Sequence, residues 1–263
     1  MDHSAASGGS TDVAAEGFQG AGEDGEEKEV TELKVAGGAL IAAGNSRSLA
    51  ATASANFRLR RQANQYGADL AINYARSAVD SDSSFDTTVE NYQGRLRYDR
   101  FLNDTWSLFM GITGRRDRFQ GLNLRSNFDP GVAYYYLTNP KHRLWLEGGY
   151  DLQYDIRDQV ALDNALSEGT PLDKTELRHA IRSFLGYENT LNERVTFATG
   201  IEYLQAFDPT KNWRVNWLGV LTSSIAGRFS MATAVSIRYD NNPLPEIEKM
   251  DAITSINLVY NLL

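Results

Sequence analysis

The amino-acid sequence predicts an all-β fold: a transmembrane antiparallel β-barrel of about 12 strands, preceded by a disordered acidic tail. Three observations support this prediction. Apolar and polar residues alternate with period two from Thr31 onward, as they do in strands with two different faces. Most of these runs hold about 10 to 14 residues, whereas strands of soluble proteins average roughly 5 to 6. Short and long connections also alternate along the chain, which is typical of outer-membrane barrels.

The first 29 residues differ in composition from the rest of the chain. Gly, Ala, Ser, Asp and Glu dominate this segment, which ends in the acidic run GEDGEEKE. Such a composition buries too little apolar surface to offset the entropy of ordering. We therefore predict a disordered tail over residues 1–29 and a barrel over residues 30–263. No basic start or apolar run follows Met1, so no signal peptide is visible, and the expected form is a mature protein with an added Met.

The strands can be followed in order from their alternation. The clearest runs are residues 49–59, 66–74, 144–154 and 229–239. Runs of 9 to 11 residues or more are long enough to cross a bilayer at a tilt. From Leu33 to Leu263 there are about twelve such runs, the even number expected of a single-chain outer-membrane barrel.

The connections between these runs fall into two classes. Short turns are predicted at Arg61–Asn64, Leu102–Asp104, Thr138–Lys141, Leu191–Glu193 and Ile225–Gly227. Longer polar loops are predicted at Ala78–Asp86, Arg118–Leu122, Asp158–Glu176, Phe207–Lys211 and Asn241–Asp251. Short turns of this kind face the periplasm in outer-membrane barrels, and the longer loops face outward.

Aromatic residues lie mostly towards the ends of the apolar faces, as the girdles at two membrane interfaces would. The predicted interface residues are Tyr66, Tyr74, Tyr92, Tyr98, Trp106, Tyr154, Tyr187, Trp213, Tyr239 and Tyr260. A soluble β-sandwich or lipocalin-like barrel is the alternative. It explains the period of two, but it does not explain the strand length, the loop alternation or the charges within strands.

The opposite face of the strands carries ionisable residues, which a dry core would not tolerate and a polar barrel interior can hydrate or pair. The predicted lumen residues are Arg58, Asp69, Arg95, Arg97, Asp99, Arg115, Glu147, Asp151, Asp155, Arg178, Arg182, Glu188, Glu202, Arg238 and Asp240. Two interpretations stay open. The charges could form salt bridges that fill a modest barrel, or they could line a porin-like pore or ligand cavity, because twelve strands lie between the filled and the open sizes.

Enzymatic chemistry finds little support in the sequence. His3 lies in the tail, His142 lies at a turn, and His179 falls on an apolar face, where Ser183 is too far along the strand to bond with it. The acidic loop DSDSSFD, residues 80–86, lacks the Gly and Glu that a calcium-binding EF-hand loop needs, so a solvated loop is favoured. No nucleotide, zinc or redox motif occurs, and no cofactor is expected. A net charge of -8 argues against nucleic-acid binding.

Four segments of the chain together resemble the salt-induced outer-membrane protein family of Gram-negative bacteria. They are RYDRFLNDTWSLFMGITGRRDRFQGLNLRSNFDPGVAYYYL, KHRLWLEGGYDLQYD, VSIRYDNNPLP and ITSINLVYNL. The ordered combination of RDRF-x-GL-x-LR with RYDN-x-P is the specific part, and the resemblance covers roughly Leu33 to Leu263. It implies an outer-membrane barrel with no established activity and no catalytic residues. Such barrels commonly end in an aromatic residue that the insertion machinery reads, whereas this chain ends in Leu262 and Leu263.

From these observations we expect a non-enzymatic protein of the outer membrane: an envelope component or a narrow channel for small polar solutes. The expected partners are outer-membrane lipid and, during biogenesis, the barrel-insertion machinery. Two alternatives stay open. One is an outer-membrane enzyme acting on lipid or envelope substrate. The other is a barrel that docks an envelope partner through its tail or outer loops.

Overall fold

A computed structural model describes residues 29–42, 47–78, 84–207, 212–244 and 248–262. The predicted acidic tail over residues 1–29 therefore lies almost entirely outside the described residues, and so does most of the DSDSSFD loop. The strands are β1 Glu29–Ala42, β2 Arg47–Arg61, β3 Asn64–Ala78, β4 Asp86–Phe101, β5 Trp106–Asp117, β6 Leu122–Thr138, β7 His142–Arg157, β8 Thr175–Asn192, β9 Val195–Ala206, β10 Trp213–Ala226, β11 Phe229–Asp240 and β12 Met250–Asn261.

Each strand pairs antiparallel with the next one along the chain, and β12 pairs with β1 to close the barrel. The predicted barrel of about twelve strands is thus confirmed. Its strands hold 12 to 18 residues, longer than the predicted runs, because the alternation continues past the apolar stretches into polar rims. The closing seam is short: four residue pairs join β1 to β12, from Lys34 with Asn261 to Gly37 with Leu258.

The connections divide between the two ends of the barrel. One end, here called the short-turn end, carries the connections at residues 62–63, 102–105, 139–141, 193–194 and 227–228. The other, the long-loop end, carries those at 79–85, 118–121, 158–174, 207–212 and 241–249. Each predicted short turn lies within two residues of a turn in the structure.

One predicted loop contains regular structure. Residues 158–176 were expected to be polar loop, but helix α1 spans Gln159–Ser167 within them. The Asp158 carboxylate accepts a hydrogen bond from the Ala161 backbone N–H at 2.8 Å and caps the first turn. Ala161 and Ala165, four positions apart on one helix face, are buried. A second short element, the 3-10 turn Arg118–Gln120, lies between β5 and β6.

The two faces of the strands have the opposite polarity to those of a soluble protein. Apolar side chains such as Leu70, Leu96 and Ile112 are more than half exposed on the outer surface. Most of the buried charged side chains, by contrast, point inward. An apolar exterior over a polar interior is the pattern of a barrel surrounded by lipid. No helix among the described residues is long and apolar enough to span a membrane.

Apolar residues inside the barrel gather towards the short-turn end. The cluster includes Phe109, Tyr135, Trp145, Phe184 and Leu218, all less than a tenth exposed. The remaining interior, from mid-barrel to the long-loop end, is mainly polar. The charged interior is therefore the part of the molecule with distinctive chemistry.

Candidate functional site: the charged interior

The structure places all fifteen residues of the predicted lumen set on the inward face of their strands. Arg58, Arg178 and Asp240 are half-buried there, and the other twelve are buried. They alternate along each strand with exposed apolar residues, so they share the barrel interior. Whether this interior acts as a passage stays a prediction.

The predicted set leaves out nine further charged residues that are buried in the described part of the chain. They are Glu32, Lys34, Arg60, Asp117, Arg125, Asp129, Arg143, Arg157 and Arg214. Many of them could have been found from their spacing, because residues an even number of positions from a predicted lumen residue of the same strand share its face. Arg143 lies at an even spacing from Glu147, and Arg125 and Asp129 share a face in β6. Pro130 and Gly131 interrupt the alternation in β6 and hide that pattern.

A connected ion-pair network crosses the middle of the barrel. Arg97 on β4 contacts Glu147 on β7 at 2.8 Å, although two strands separate β4 from β7 in the barrel wall. Arg182 on β8 contacts the same Glu147 at 2.9 Å and Glu202 on β9 at 2.6 Å. Arg97 therefore belongs to a contact that reaches across the lumen, and we call Arg97–Glu147 the cross-lumen pair.

Side chains fill the barrel at the level of this network. Arg182 and Glu202 are 0% exposed and Arg97 is 5% exposed. The Arg97 guanidinium also lies over the Phe109 ring, 4.3 Å from its centroid. Cations pack favourably on aromatic faces, which holds this arginine against the wall. A solute could pass this level only if these side chains moved aside.

Most other interior ion pairs join residues of one strand or of two neighbouring strands and stay along the wall. Arg125 donates two hydrogen bonds to Asp155, at 2.8 and 2.7 Å, and the two residues are directly opposite in the β6–β7 register. Arg143 and Glu188 contact at 2.5 Å and are opposite in the β7–β8 register. Such wall pairs satisfy buried charge without obstructing the lumen.

The long-loop end of the interior opens into a cavity of about 70 Å³. Among the described residues, six arginines, one lysine and five carboxylates line it, so the formal charge of this described lining is positive although the whole chain is acidic. Loops narrow its mouth. The Gln120 side-chain amide donates to the Asp251 carboxylate at 2.5 Å, and a Cβ on Gly121 would lie 2.8 Å from Ala161 of α1. The cavity is therefore a small basic chamber whose lining includes the loop residues Gln120, Asn242, Pro243 and Leu244.

The ten predicted interface aromatics all point outward, in two groups. Tyr66, Tyr98, Trp106, Tyr187 and Tyr260 lie near the short-turn end. Tyr74, Tyr92, Tyr154, Trp213 and Tyr239 lie near the long-loop end. Several pack against outward aromatics that sequence reasoning did not select: Trp106 lies 4.8 Å from Tyr134 and Tyr260 lies 4.8 Å from Phe229, between ring centroids. This arrangement resembles two aromatic girdles.

The histidines give no support for hydrolase chemistry in the described residues. His179 is exposed on the outer face, where its Nδ1 bonds with the Tyr150 hydroxyl rather than with a serine. His142 bonds with the Tyr187 hydroxyl at 2.9 Å near the short-turn end. Within the described ranges, no three His, Asp or Glu side chains form a group that could hold a metal ion.

Comparison with known proteins supports the fold and leaves the role open. The uncharacterized protein YdiY of Escherichia coli (strain K12) is 26% identical over 229 residues, which is 86% of this chain and 81% of that protein. The NanC porin structure matches with a TM-score of 0.52 and 14% identity, over 88% of this chain and 100% of that one. The COG4313 outer membrane channel from Pseudomonas putida F1 matches with a TM-score of 0.48 and 12% identity, over 92% and 100% of the two chains.

At such identities the NanC likeness shows the fold alone, a closed barrel of the outer-membrane channel type. The fold and its apolar exterior identify the protein as an outer-membrane β-barrel. A family model also matches residues 35–262, nearly the whole described barrel. The chain belongs to the family described as "Protein of unknown function, DUF481".

Proposed function

We propose that this protein is a non-enzymatic barrel whose charged interior forms a narrow passage for small polar solutes. The carrying observation is the presence of charged pairs at three levels of the interior, beside the apolar cluster near the short-turn end. Charged pairs occur at the long-loop end in Arg125–Asp155, at mid-barrel in Arg97–Glu147 and at the short-turn end in Arg143–Glu188. Apolar filling of similar volume is often as stable as buried ion pairs or more so. A barrel selected for rigidity alone has little need of so many ions.

The second candidate is an envelope structural component with a permanently filled barrel. The observation in its favour is the low exposure of the mid-barrel charges, among which Arg182 and Glu202 are 0% exposed. The two candidates differ in whether the cross-lumen pair can be bypassed. In the channel proposal, Arg97–Glu147 forms the constriction and sets a low conductance.

Conductance of the refolded protein in a planar bilayer distinguishes them. The test variant is Arg97→Ser/Glu147→Ser, which removes the cross-lumen pair without changing the net charge. The matched control is Arg143→Ser/Glu188→Ser, which removes an Arg–Glu pair from the wall. We expect small steady steps from the unaltered protein, a several-fold rise in the test variant and little change in the control. Silence from both the unaltered protein and the test variant, each shown folded by heat-modifiable gel migration, would reject the channel.

Other expectations attach to this proposal. The exposed apolar face would contact outer-membrane lipid, and the barrel-insertion machinery would assemble the barrel. An envelope partner that docks on the tail or on the loop containing α1 stays a prediction, as does the salt-induced label, which describes expression and implies no mechanism.

A further inference from the structure

Five inward residues form one continuous row around the wall from β4 to β8. Arg95 is opposite Thr113, Thr113 is opposite Asn127, Asn127 is opposite Gln153, and Gln153 is opposite Arg178. The row contains no carboxylate. The next row towards the long-loop end does contain carboxylates, since it runs through Arg125 to Asp155 and Glu176. Hydrogen-bond donors therefore predominate along this row, although Asn127, Gln153 and Arg178 already donate to the carboxylates of Asp151, Asp155 and Glu176.

Arg95 is a buried cation in this row. It is 2% exposed, and none of its three guanidinium nitrogens has a hydrogen-bond partner among the described residues. Two positions along the same strand, Arg97 contacts Asp99 at 2.7 Å and Glu147 at 2.8 Å. The carboxylate of Asp69, opposite Arg95 on β3, accepts a hydrogen bond from Asn56 at 2.8 Å. A buried cation is costly unless an anion or acceptors satisfy it.

A second guanidinium reaches the same row from a strand that is not a neighbour of β7. Arg214 on β10 donates a hydrogen bond to the Gln153 side-chain oxygen on β7, three strands away, and Arg214 lines the outer cavity. The contact is to a neutral amide. The Thr113 hydroxyl, 1% exposed, also has no hydrogen-bond partner among the described residues. Arg95 and Thr113 thus belong to the row itself, and Arg214 joins the row through Gln153 and lines the basic chamber.

We propose that this row binds the oxyanion of a small solute, a carboxylate or a phosphate, on its way through the barrel. The inference rests on the proposed channel function and names its substrate class. Guanidinium groups bind carboxylate and phosphate with paired, charge-assisted hydrogen bonds. The positive chamber attracts anions and raises their local concentration. Arg95 and Arg214 then replace the water around the oxyanion with their own hydrogen-bond donors.

Isothermal titration of the refolded protein in detergent tests the row without requiring conduction. The probes are sodium D-glucuronate, inorganic phosphate and, as a neutral match to glucuronate, D-glucose. The test variants are Arg95→Gln and Arg214→Gln. The control is Arg116→Gln, which removes the same charge from an exposed position on the outer face of β5.

We expect glucuronate, phosphate or both to bind the unaltered protein and the Arg116→Gln control equally, and each test variant at least tenfold more weakly. Glucose should not bind. The anion that binds, or the one that binds more tightly if both do, shows whether the row prefers a carboxylate or a phosphate. Arg95→Gln should unfold no more easily than the unaltered protein, because the lost guanidinium has no hydrogen-bond partner among the described residues. A purely structural arginine would give a lower unfolding midpoint.

Three outcomes would overturn the proposal: equal binding of an anion by Arg95→Gln and Arg116→Gln, binding of glucose as tight as that of glucuronate, or no binding of either anion. The titration and the conductance measurement together distinguish failure of this proposal from failure of the channel proposal. Anion binding by a barrel that never conducts would reject the passage and keep the row. Conductance without anion binding would keep the passage and reject the row.

Discussion

At the scale of single residues, Trp145 and Gly186 show how tightly the interior is packed. Trp145 is 1% exposed, and its indole lies against the backbone of Gly186 on the neighbouring strand β8. A Cβ at Gly186 would overlap the indole ring. A rigid bicyclic ring between two strands cannot turn aside as a flexible side chain can. The glycine is therefore required by the close approach of the ring.

The change Gly186→Ala should lower the free energy of unfolding by roughly 1–3 kcal/mol, the usual cost of overpacking a filled core. Gly148→Ala is the control, because a Cβ at that glycine would meet no atom of the described residues within 4 Å. Urea unfolding in detergent, followed by tryptophan fluorescence, measures both. Equal midpoints for the two variants would show that Trp145 does not hold this position.

At the scale of elements, α1 shows how a short helix forms within a loop. Its nine residues are too few for intrinsic stability, so its cap and its contacts decide whether it forms. Asp158 caps the N-terminus, and its own backbone N–H donates to the Gly121 carbonyl at 3.0 Å. One residue therefore starts the helix and ties it to the loop between β5 and β6.

We expect Asp158→Ala to cost about 1 kcal/mol of local stability, the typical value for a lost N-cap. Amide hydrogen exchange over residues 159–167 should then be about fivefold faster, while exchange within β7 and β8 stays unchanged. Asp163→Ala removes an exposed aspartate from the same helix and should have a smaller effect. Identical exchange in both variants would mean that packing alone maintains α1.

The strands were largely predictable from the sequence, because the alternation of apolar and polar residues within each strand is a local pattern. Alternation around Tyr150 or Val235 already indicates which side chains point inward. Helix α1 was missed because its buried residues are two alanines, and Ala161 lies against Gly121, which is distant in sequence. Partners across the lumen, such as Arg97 and Glu147, could not be predicted, since their meeting depends on barrel closure and stagger rather than on local pattern.

At the scale of the whole molecule, the orientation of the four tryptophans tests which surface meets lipid. Trp106 and Trp213 point outward near opposite ends of the barrel. Trp217 also points outward, four residues further into β10, which is about 13 Å along a strand. Trp145 points inward and is buried.

Quenching of single-tryptophan variants in bilayers of brominated phosphatidylcholine should separate these positions. We expect Trp106 and Trp213 to be quenched most by bromines near the headgroups, and Trp217 most by bromines deep in the chains. Trp145 should respond to neither. Strong quenching of Trp145, or depth-independent quenching of the other three, would contradict the assignment of the inner and outer faces.

One contact at the long-loop end has a consequence for the shape of the opening. Arg238 on β11 lies 3.7 Å from the Asp117 carboxylate on β5, and six steps separate these strands in a ring of twelve. A circular barrel of this size would measure about 24 Å across between backbones, given strands about 4.8 Å apart and tilted by about 40°. An arginine and an aspartate side chain reach well short of that distance. The barrel is therefore flattened at this end, and any passage through it there would be a narrow slot rather than a round hole.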